Sequence, residues 1–91
     1  MITVVLKDKV IYFTKGNYIT DMKFVKKFSE VSENTIVTLK DNKNVIKGKY
    51  PKSDILLAFC SRSREEAEDR LKGISKFLSN IYMYSGKRRS T

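Results

Sequence analysis

The sequence contains no histidine, one cysteine and only four scattered glycines among its 91 residues. Without histidine, the chain lacks the commonest general base and the commonest protein ligand for metal ions. The lone cysteine, Cys60, cannot form a disulfide within the chain, which is typical of proteins from a reducing compartment. The glycines form no glycine-rich phosphate loop. We therefore predict that the protein is not an enzyme and has no cofactor, no metal site and no small-molecule substrate.

Long hydrophobic runs are also missing. No apolar stretch approaches the roughly 20 residues that cross a bilayer. The N-terminus has no basic segment followed by a long apolar core, as a signal peptide would have. We expect a soluble, intracellular protein with a cytoplasmic location and no membrane partner.

Positive charge, by contrast, is abundant. The chain has 19 Lys and Arg residues against 10 Asp and Glu residues, for a formal net charge of +9. Such an excess attracts polyanions such as RNA and DNA. Composition alone leaves open the alternative that these lysines only cover solvated faces. With 41% hydrophobic residues, the chain can bury one modest core, which favours a single globular domain over disorder.

Three short apolar or β-branched runs between Thr35 and Cys60 predict three antiparallel strands that follow one another as a meander. The run from Ile55 to Cys60 is apolar on both faces, which is typical of a strand that is interior to its sheet or covered on both sides. The run from Ile2 to Phe13 is strand-like and forms either a hairpin or one long bent strand.

Helical periodicity appears on both sides of the predicted meander. The first helix starts from an N-cap at Thr20 or Asp21 and ends near Asn34. The second begins with the capping box of Ser63 and Glu66. In such a box, the side chain of each residue accepts a hydrogen bond from the backbone N–H of the other. Both helices need a sheet against which to bury their apolar stripes.

These elements predict an α+β fold in the order β(β)-α-β-β-β-α. We expect a two-layer sandwich, in which an antiparallel sheet of four to five strands carries both helices on one face. The single domain covers residues 1–86, and a basic C-terminal tail covers residues 87–91.

Basic residues concentrate around the meander. By strand alternation, Lys47 and Lys49 point to the same side of the sheet. Such groups contact phosphates and position a nucleic acid without reading its sequence. By comparison, Lys23, Lys26 and Lys27 on the first helix are expected to be solvated charges. The candidate nucleic-acid-binding residues are Lys40, Lys43, Lys47, Lys49, Lys52, Arg62, Arg64, Lys87, Arg88 and Arg89.

From Tyr18 onward, the chain resembles the small subunits of the signal recognition particle Alu domain, which have a helix, a three-stranded sheet, a second helix and often a basic tail. In that family, two homologous subunits pair and the open sheet face binds folded RNA. The resemblance implies that Lys40, Lys47 and Lys49 lie on the RNA side. The N-terminal strand region departs from the family pattern. The similar segments are Tyr18–Val25, Asn34–Lys40, Asp54–Phe59 and Lys87–Arg89.

A second resemblance is to the phosphocarrier protein of the sugar phosphotransferase system. Residues Gly16–Lys49 look like its first helix and the two following strands, and Lys52–Leu78 look like its last strand and helix. The active-site histidine of that family has no counterpart here. This resemblance therefore implies a protein-docking module without phosphotransfer.

The leading hypothesis is a small, basic, non-catalytic RNA-binding protein that uses an open sheet face and its basic tail to bind phosphates. We expect structured RNA as the partner, within a ribonucleoprotein, and a homo- or heterodimer formed through the sheet. The alternative is a non-catalytic protein–protein interaction module, such as a regulatory or phage-type inhibitor. In that case an exposed aromatic or apolar patch should dominate binding.

Overall fold

The computed structural model of the protein describes residues 1–74, which hold five β-strands and two helices. This content confirms the predicted α+β class and the order of elements, with the N-terminal run folded as a hairpin. The predicted domain limit at residue 86 and the tail at 87–91 lie outside the described residues. The elements are β1 (Ile2–Leu6), β2 (Val10–Phe13), α1 (Tyr18–Glu30), β3 (Ile36–Lys40), β4 (Ile46–Pro51), β5 (Ile55–Cys60) and α2, described over residues 64–74.

The strands lie in two antiparallel sheets instead of the single sheet predicted. One has the order β2-β1-β5, and the other pairs β3 with β4. The predicted meander is wrong at its last step, because the 3₁₀ turn Lys52–Asp54 carries the chain from β4 to β5, which pairs with β1. At the end of β4, Pro51 has no N–H to donate. The Lys52 N–H then closes the β3–β4 ladder on the carbonyl of Thr35 (2.8 Å).

The core lies between the three-stranded sheet and the layer made by α1 and the β3–β4 hairpin. On β1, the side chains of Ile2, Val4 and Leu6 share one face by alternation, and all three are buried. They pack with Val37 and Leu39 of β3. The central strand of one sheet therefore packs against the first strand of the other.

The described part of α2 contacts the opposite face of the three-stranded sheet. Thr3 of β1 pairs with Tyr12 of β2 and with Phe59 of β5, so these side chains share that face. The guanidinium groups of Arg64 and Arg70 lie over the rings of Tyr12 and Phe59, at 4.0 and 4.4 Å from the ring centroids. Since α1 packs on the core side, the two helices do not share one face as predicted. A central strand that is apolar or small on both sides permits this double coverage.

Helix α1 begins earlier than predicted. The Asn17 side chain is the N-cap, and its Oδ1 accepts a hydrogen bond from the Thr20 N–H (2.9 Å). This start places Met22 on the exposed side of the helix. It also turns Asp21 inward, where Oδ2 accepts a hydrogen bond from the α-amino group of Met1 (2.6 Å). Asp21 is thus a buried partner of the N-terminus and not a helix cap.

Asp41 and Asn44 build the turn of the β3–β4 hairpin. The Asp41 Oδ1 atom accepts hydrogen bonds from the N–H groups of Lys43 (2.8 Å) and Val45 (2.9 Å). Asn44 has a φ of 62°. Asparagine adopts this left-handed conformation more readily than most residues. The turn residues visible in the sequence therefore fix where this hairpin reverses.

Gly48 lies beneath the ring of Tyr50 on β4. A Cβ atom at this position would overlap Cε2 of the ring and lie 3.0 Å from its Cζ. Gly48→Ala should therefore displace the ring and lower the free energy of unfolding by about 1–2 kcal/mol, as measured by urea denaturation. Gly73→Ala is the matched control, because its Cβ would meet no atom of the described residues within 4 Å. This control should raise helix stability by about 1 kcal/mol, and the same sign at both positions would contradict the steric explanation.

Candidate nucleic-acid interface

One face of the β3–β4 hairpin points away from the core. The strand register places Thr38 opposite Lys49 and Lys40 opposite Ile46. By alternation along β3, Ile36 lies on the same side. We call Ile36, Thr38, Lys40, Ile46 and Lys49 the hairpin face. Both lysines are exposed, and the two isoleucines are 59% and 52% exposed, so this face is open to solvent.

Lys47 has no partner on β3, so the alternation that predicts it on the same side as Lys49 is interrupted at this residue. A β-bulge inserts Lys47 between the paired residues Ile46 and Gly48, which breaks the strict alternation of side chains along β4. The ammonium group of Lys47 lies near the carboxylate of Asp41, with 3.7 Å between Nζ and Oδ2. Part of its charge is therefore compensated within the hairpin.

Asp41 is the only acidic residue between residues 36 and 51, and the turn occupies its carboxylate. The hydrogen bond from the Val45 N–H lowers the pKa of Asp41, and the Lys43 N–H and the charges of Lys47 and Lys43 lower it further. The one negative charge of the hairpin is thus held by the turn and by Lys47.

Three lysines of the hairpin keep exposed ammonium groups. Lys40 and Lys49 lie on the hairpin face, and Lys43 lies in the turn at its end. Among residues 1–74, these three lysines form no ion pair. Their positive charge faces solvent and is not held in an ion pair with the described residues, so it can attract a polyanion.

Lys52 has a structural role. Its Nζ donates hydrogen bonds to the main-chain carbonyls of Ser29 (3.1 Å) and Val31 (2.7 Å), at the C-terminal end of α1. The same ammonium group lies 5.4 Å from the ring centroid of Phe28. A cation at this end of a helix satisfies carbonyls that have no partner within the helix. The structure therefore places Lys52 in the packing of α1 rather than on the hairpin face.

Lys52→Met should test this role, since methionine keeps most of the apolar stem but donates no hydrogen bond. We expect the free energy of unfolding to fall by about 1–2 kcal/mol, from two lost bonds to otherwise unpaired carbonyls. Lys43→Met is the control, because its ammonium group has no partner among the described residues, and it should change stability by less than about 0.5 kcal/mol. Equal stability of both variants in urea denaturation would contradict the capping role.

Arg62 and Arg64 lie beside the three-stranded sheet, not on the hairpin. The guanidinium of Arg62 is 5.2 Å from the ring centroid of Tyr18, and that of Arg64 is 4.0 Å from the ring centroid of Tyr12. Arg64 also forms an exposed ion pair with Glu68. A guanidinium stacked on a ring keeps hydrogen-bond donors at its edge. Both arginines can thus contact phosphate, as members of a second basic group.

The interface also contains apolar residues that the sequence analysis did not assign to it. Alternation along β3 puts Ile36 with Lys40 and was available as a signal. Ile46 could not be placed in this way, because the bulge reverses the side that simple alternation predicts. Three residues of the predicted site lie outside the described residues: Lys87, Arg88 and Arg89.

Groups for catalysis are sparse in the described part of the chain. Burial raises the pKa of the Cys60 thiol, which disfavours the reactive thiolate. Residues 1–74 contain no group of three or more acidic, cysteine or histidine side chains that could hold a metal ion. None of the helices in this part of the chain combines the length and apolarity needed to cross a membrane.

We compared the chain with models of protein families, with curated proteins and with solved structures, and found no match in any of the three comparisons.

Proposed function

We propose that this protein is a small, basic, non-catalytic RNA-binding protein whose hairpin face contacts the phosphate backbone. The observation that carries the proposal is the exposure of Lys40, Lys43 and Lys49 on one hairpin, without an ion-pair partner among the described residues. Lysine ammonium groups release counterions when they neutralise phosphates, and this supplies most of the affinity for a nucleic acid.

The apolar residues of the hairpin face support RNA over a simple polyanion. Ile36 and Ile46 stand beside Lys40 and Lys49, so a bound strand meets apolar surface and positive charge together. Unpaired bases in loops and bulges offer apolar faces that a regular duplex hides. Structured RNA with exposed loops is therefore the preferred partner in this proposal.

A second basic group, Arg62 and Arg64 on their tyrosine rings, extends the surface that RNA can contact. The planar guanidinium binds phosphate with two parallel hydrogen bonds and stacks on bases. Lys87, Arg88 and Arg89 add a basic tail to this proposal on the ground of sequence alone. Together these groups suit one component of a cytoplasmic ribonucleoprotein, or a dimer that binds RNA.

The double variant Lys40→Glu/Lys49→Glu tests the hairpin face. It should weaken binding to a pool of folded RNAs by about 30-fold or more at low salt, and make the slope of log K against log salt shallower by about 2. The matched control is Lys23→Glu/Lys26→Glu, which changes the net charge equally on the exposed side of α1. The measurement is fluorescence anisotropy at several salt concentrations, with circular dichroism to confirm that both variants fold.

Equal loss of affinity in the two double variants would contradict the proposal, because binding would then follow net charge and not the hairpin face. Unchanged affinity after Lys40→Glu/Lys49→Glu would contradict it as well.

A further inference from the structure

The outer edge of β3 borders a groove of about 400 Å³ whose other wall is α1. Within the described residues, β3 of the two-stranded sheet β3–β4 pairs on one side only. The groove is lined by four consecutive residues of this edge, Thr35 to Thr38, and by Phe24 and Phe28 of the helix. A volume of this size lies within the range of ligand-binding clefts.

The backbone of β3 presents hydrogen-bonding groups to this groove. The Lys52 N–H bonds the Thr35 carbonyl, so Val37 and Leu39, at every second position after Thr35, direct their N–H and C=O groups toward β4 in the antiparallel pair. Ile36 and Thr38 therefore direct theirs away from β4, to the groove side. Among residues 1–74, neither of these two backbones makes a hydrogen bond outside its own sheet. Such an edge is a template for an added strand.

The charges at the groove indicate what kind of strand it accepts. Among residues 1–74, Lys15 and Lys27 are its only charged lining residues. The Lys15 ammonium lies 5.2 Å from the ring centroid of Phe24, and Lys27 lies in the last turn of α1. Neither forms an ion pair in the described part of the chain. Two positive charges above an apolar wall suit a partner that alternates acidic and apolar side chains.

We infer that this groove is a docking site for an extended acidic peptide of another protein, which adds a strand to the free edge of β3. The backbone of the peptide bonds Ile36 and Thr38, its carboxylates contact Lys15 and Lys27, and its apolar side chains contact Phe24. The same charges disfavour two other occupants. A second copy of this chain carries a net charge of +9, and residues 75–91 contain four basic and no acidic residues.

The test is to select a random 12-residue peptide library against the immobilised full-length protein, with the variant Lys15→Glu/Lys27→Glu as counter-target. Enriched sequences should be acidic, with apolar residues at every second position. The best peptide should bind the variant about tenfold or more weakly, from the loss and reversal of two ion pairs. The control Lys23→Glu/Lys26→Glu, on the same helix outside the groove, should keep most of the affinity.

Amide hydrogen exchange supplies the second readout. The bound peptide should slow exchange at the Ile36 and Thr38 amides, and the same peptide methylated at its edge-facing nitrogens should not bind. Neutral or basic enriched sequences, or no enrichment, would overturn the inference. Slow exchange at these two amides in the free protein would overturn the inference too. If that protection depends on protein concentration, the occupant is a second copy of the chain. If it does not, the occupant is residues 75–91.

The peptide-docking site and the RNA-binding surface can be tested independently with separate variants. Lys40→Glu/Lys49→Glu should reduce RNA binding and leave the acidic peptide bound, since neither lysine lines the groove. Lys15→Glu/Lys27→Glu should weaken binding of the acidic peptide and should bind RNA as well as Lys23→Glu/Lys26→Glu does, which changes the net charge equally. Loss of both activities in both variants would contradict the assignment of two surfaces.

Discussion

Asp21→Asn should lower the free energy of unfolding by about 2–3 kcal/mol, because it removes one partner of a mostly buried ion pair. The Asp21 side chain is fully buried, and Oδ2 lies 2.6 Å from the α-amino nitrogen of Met1. The other oxygen, Oδ1, accepts a hydrogen bond from the Lys15 N–H (2.7 Å). The amide of asparagine can keep the second bond, but it cannot compensate the positive charge of the Met1 amine. We expect this loss of stability to be small for a buried ion pair, because Met1 is 25% exposed.

Urea denaturation of Asp21→Asn measures this effect, with Asp8→Asn in the exposed β1–β2 turn as the control. The control should stay within about 0.5 kcal/mol of the unaltered protein. Acetylation of the Met1 amine should cause a loss similar to that of Asp21→Asn, and the two changes together should cost less than their sum. Additive losses would mean that Asp21 stabilises the fold through other contacts.

Leu39→Ala should lower the free energy of unfolding by about 3 kcal/mol, the usual cost of removing a fully buried leucine side chain and leaving a cavity. Leu39 is 0% exposed and packs with Ile2 and Val4, the central strand of the other sheet. In the part of the chain that the structure describes, no β-ladder joins the two sheets, so this apolar contact is one of the main connections between them. The variant should therefore unfold as one cooperative unit at lower urea concentration.

The matched control for Leu39→Ala is Ile46→Ala on the same hairpin. Ile46 is 52% exposed on the hairpin face, and its truncation should cost less than about 0.5 kcal/mol. Tyrosine fluorescence and far-ultraviolet circular dichroism follow the transition. If the two substitutions had equal effects, the hairpin would not pack on the three-stranded sheet through Leu39.

Local patterns in the sequence predict most of the fold. Runs of apolar and β-branched residues identify β3 and β5. Ser63 caps α2 as predicted, since its Oγ accepts a hydrogen bond from the Glu66 N–H (3.1 Å), while the Glu66 carboxylate accepts one from the Arg62 N–H (3.3 Å). The pairing of β5 with β1 is not local, since it joins strands that are far apart in sequence, with Ile2 opposite Cys60. Strands close in sequence usually pair. The sequence therefore favours the meander, and only the burial of β1 on both faces selects the observed arrangement.

The candidate site could be predicted only in part. Lys40 and Lys49 lie on an exposed strand face, but a bulge of one residue interrupts the alternation that groups Lys47 with Lys49, and Lys47 forms an ion pair with Asp41. Lys52 is a misplaced member of the predicted set, because its partners at Ser29 and Val31 lie more than 20 residues away in sequence. The predicted cap role of Asp21 is wrong for the same reason, since its partner Met1 is 20 residues away in sequence. Long-range polar contacts leave no periodic signal in a single sequence.

RNA binding through unpaired lysines is the central claim, and the salt dependence of binding tests it most directly. A pool of folded RNAs and a duplex DNA of equal length should each be titrated with the unaltered protein at several salt concentrations. We predict tighter binding to folded RNA, with log K falling against log salt at a slope of roughly −4, as expected when about five phosphates are neutralised. Weak binding that is equal for RNA and duplex DNA would contradict the claim. The net charge of +9 would then be surface charge without a role in specific binding.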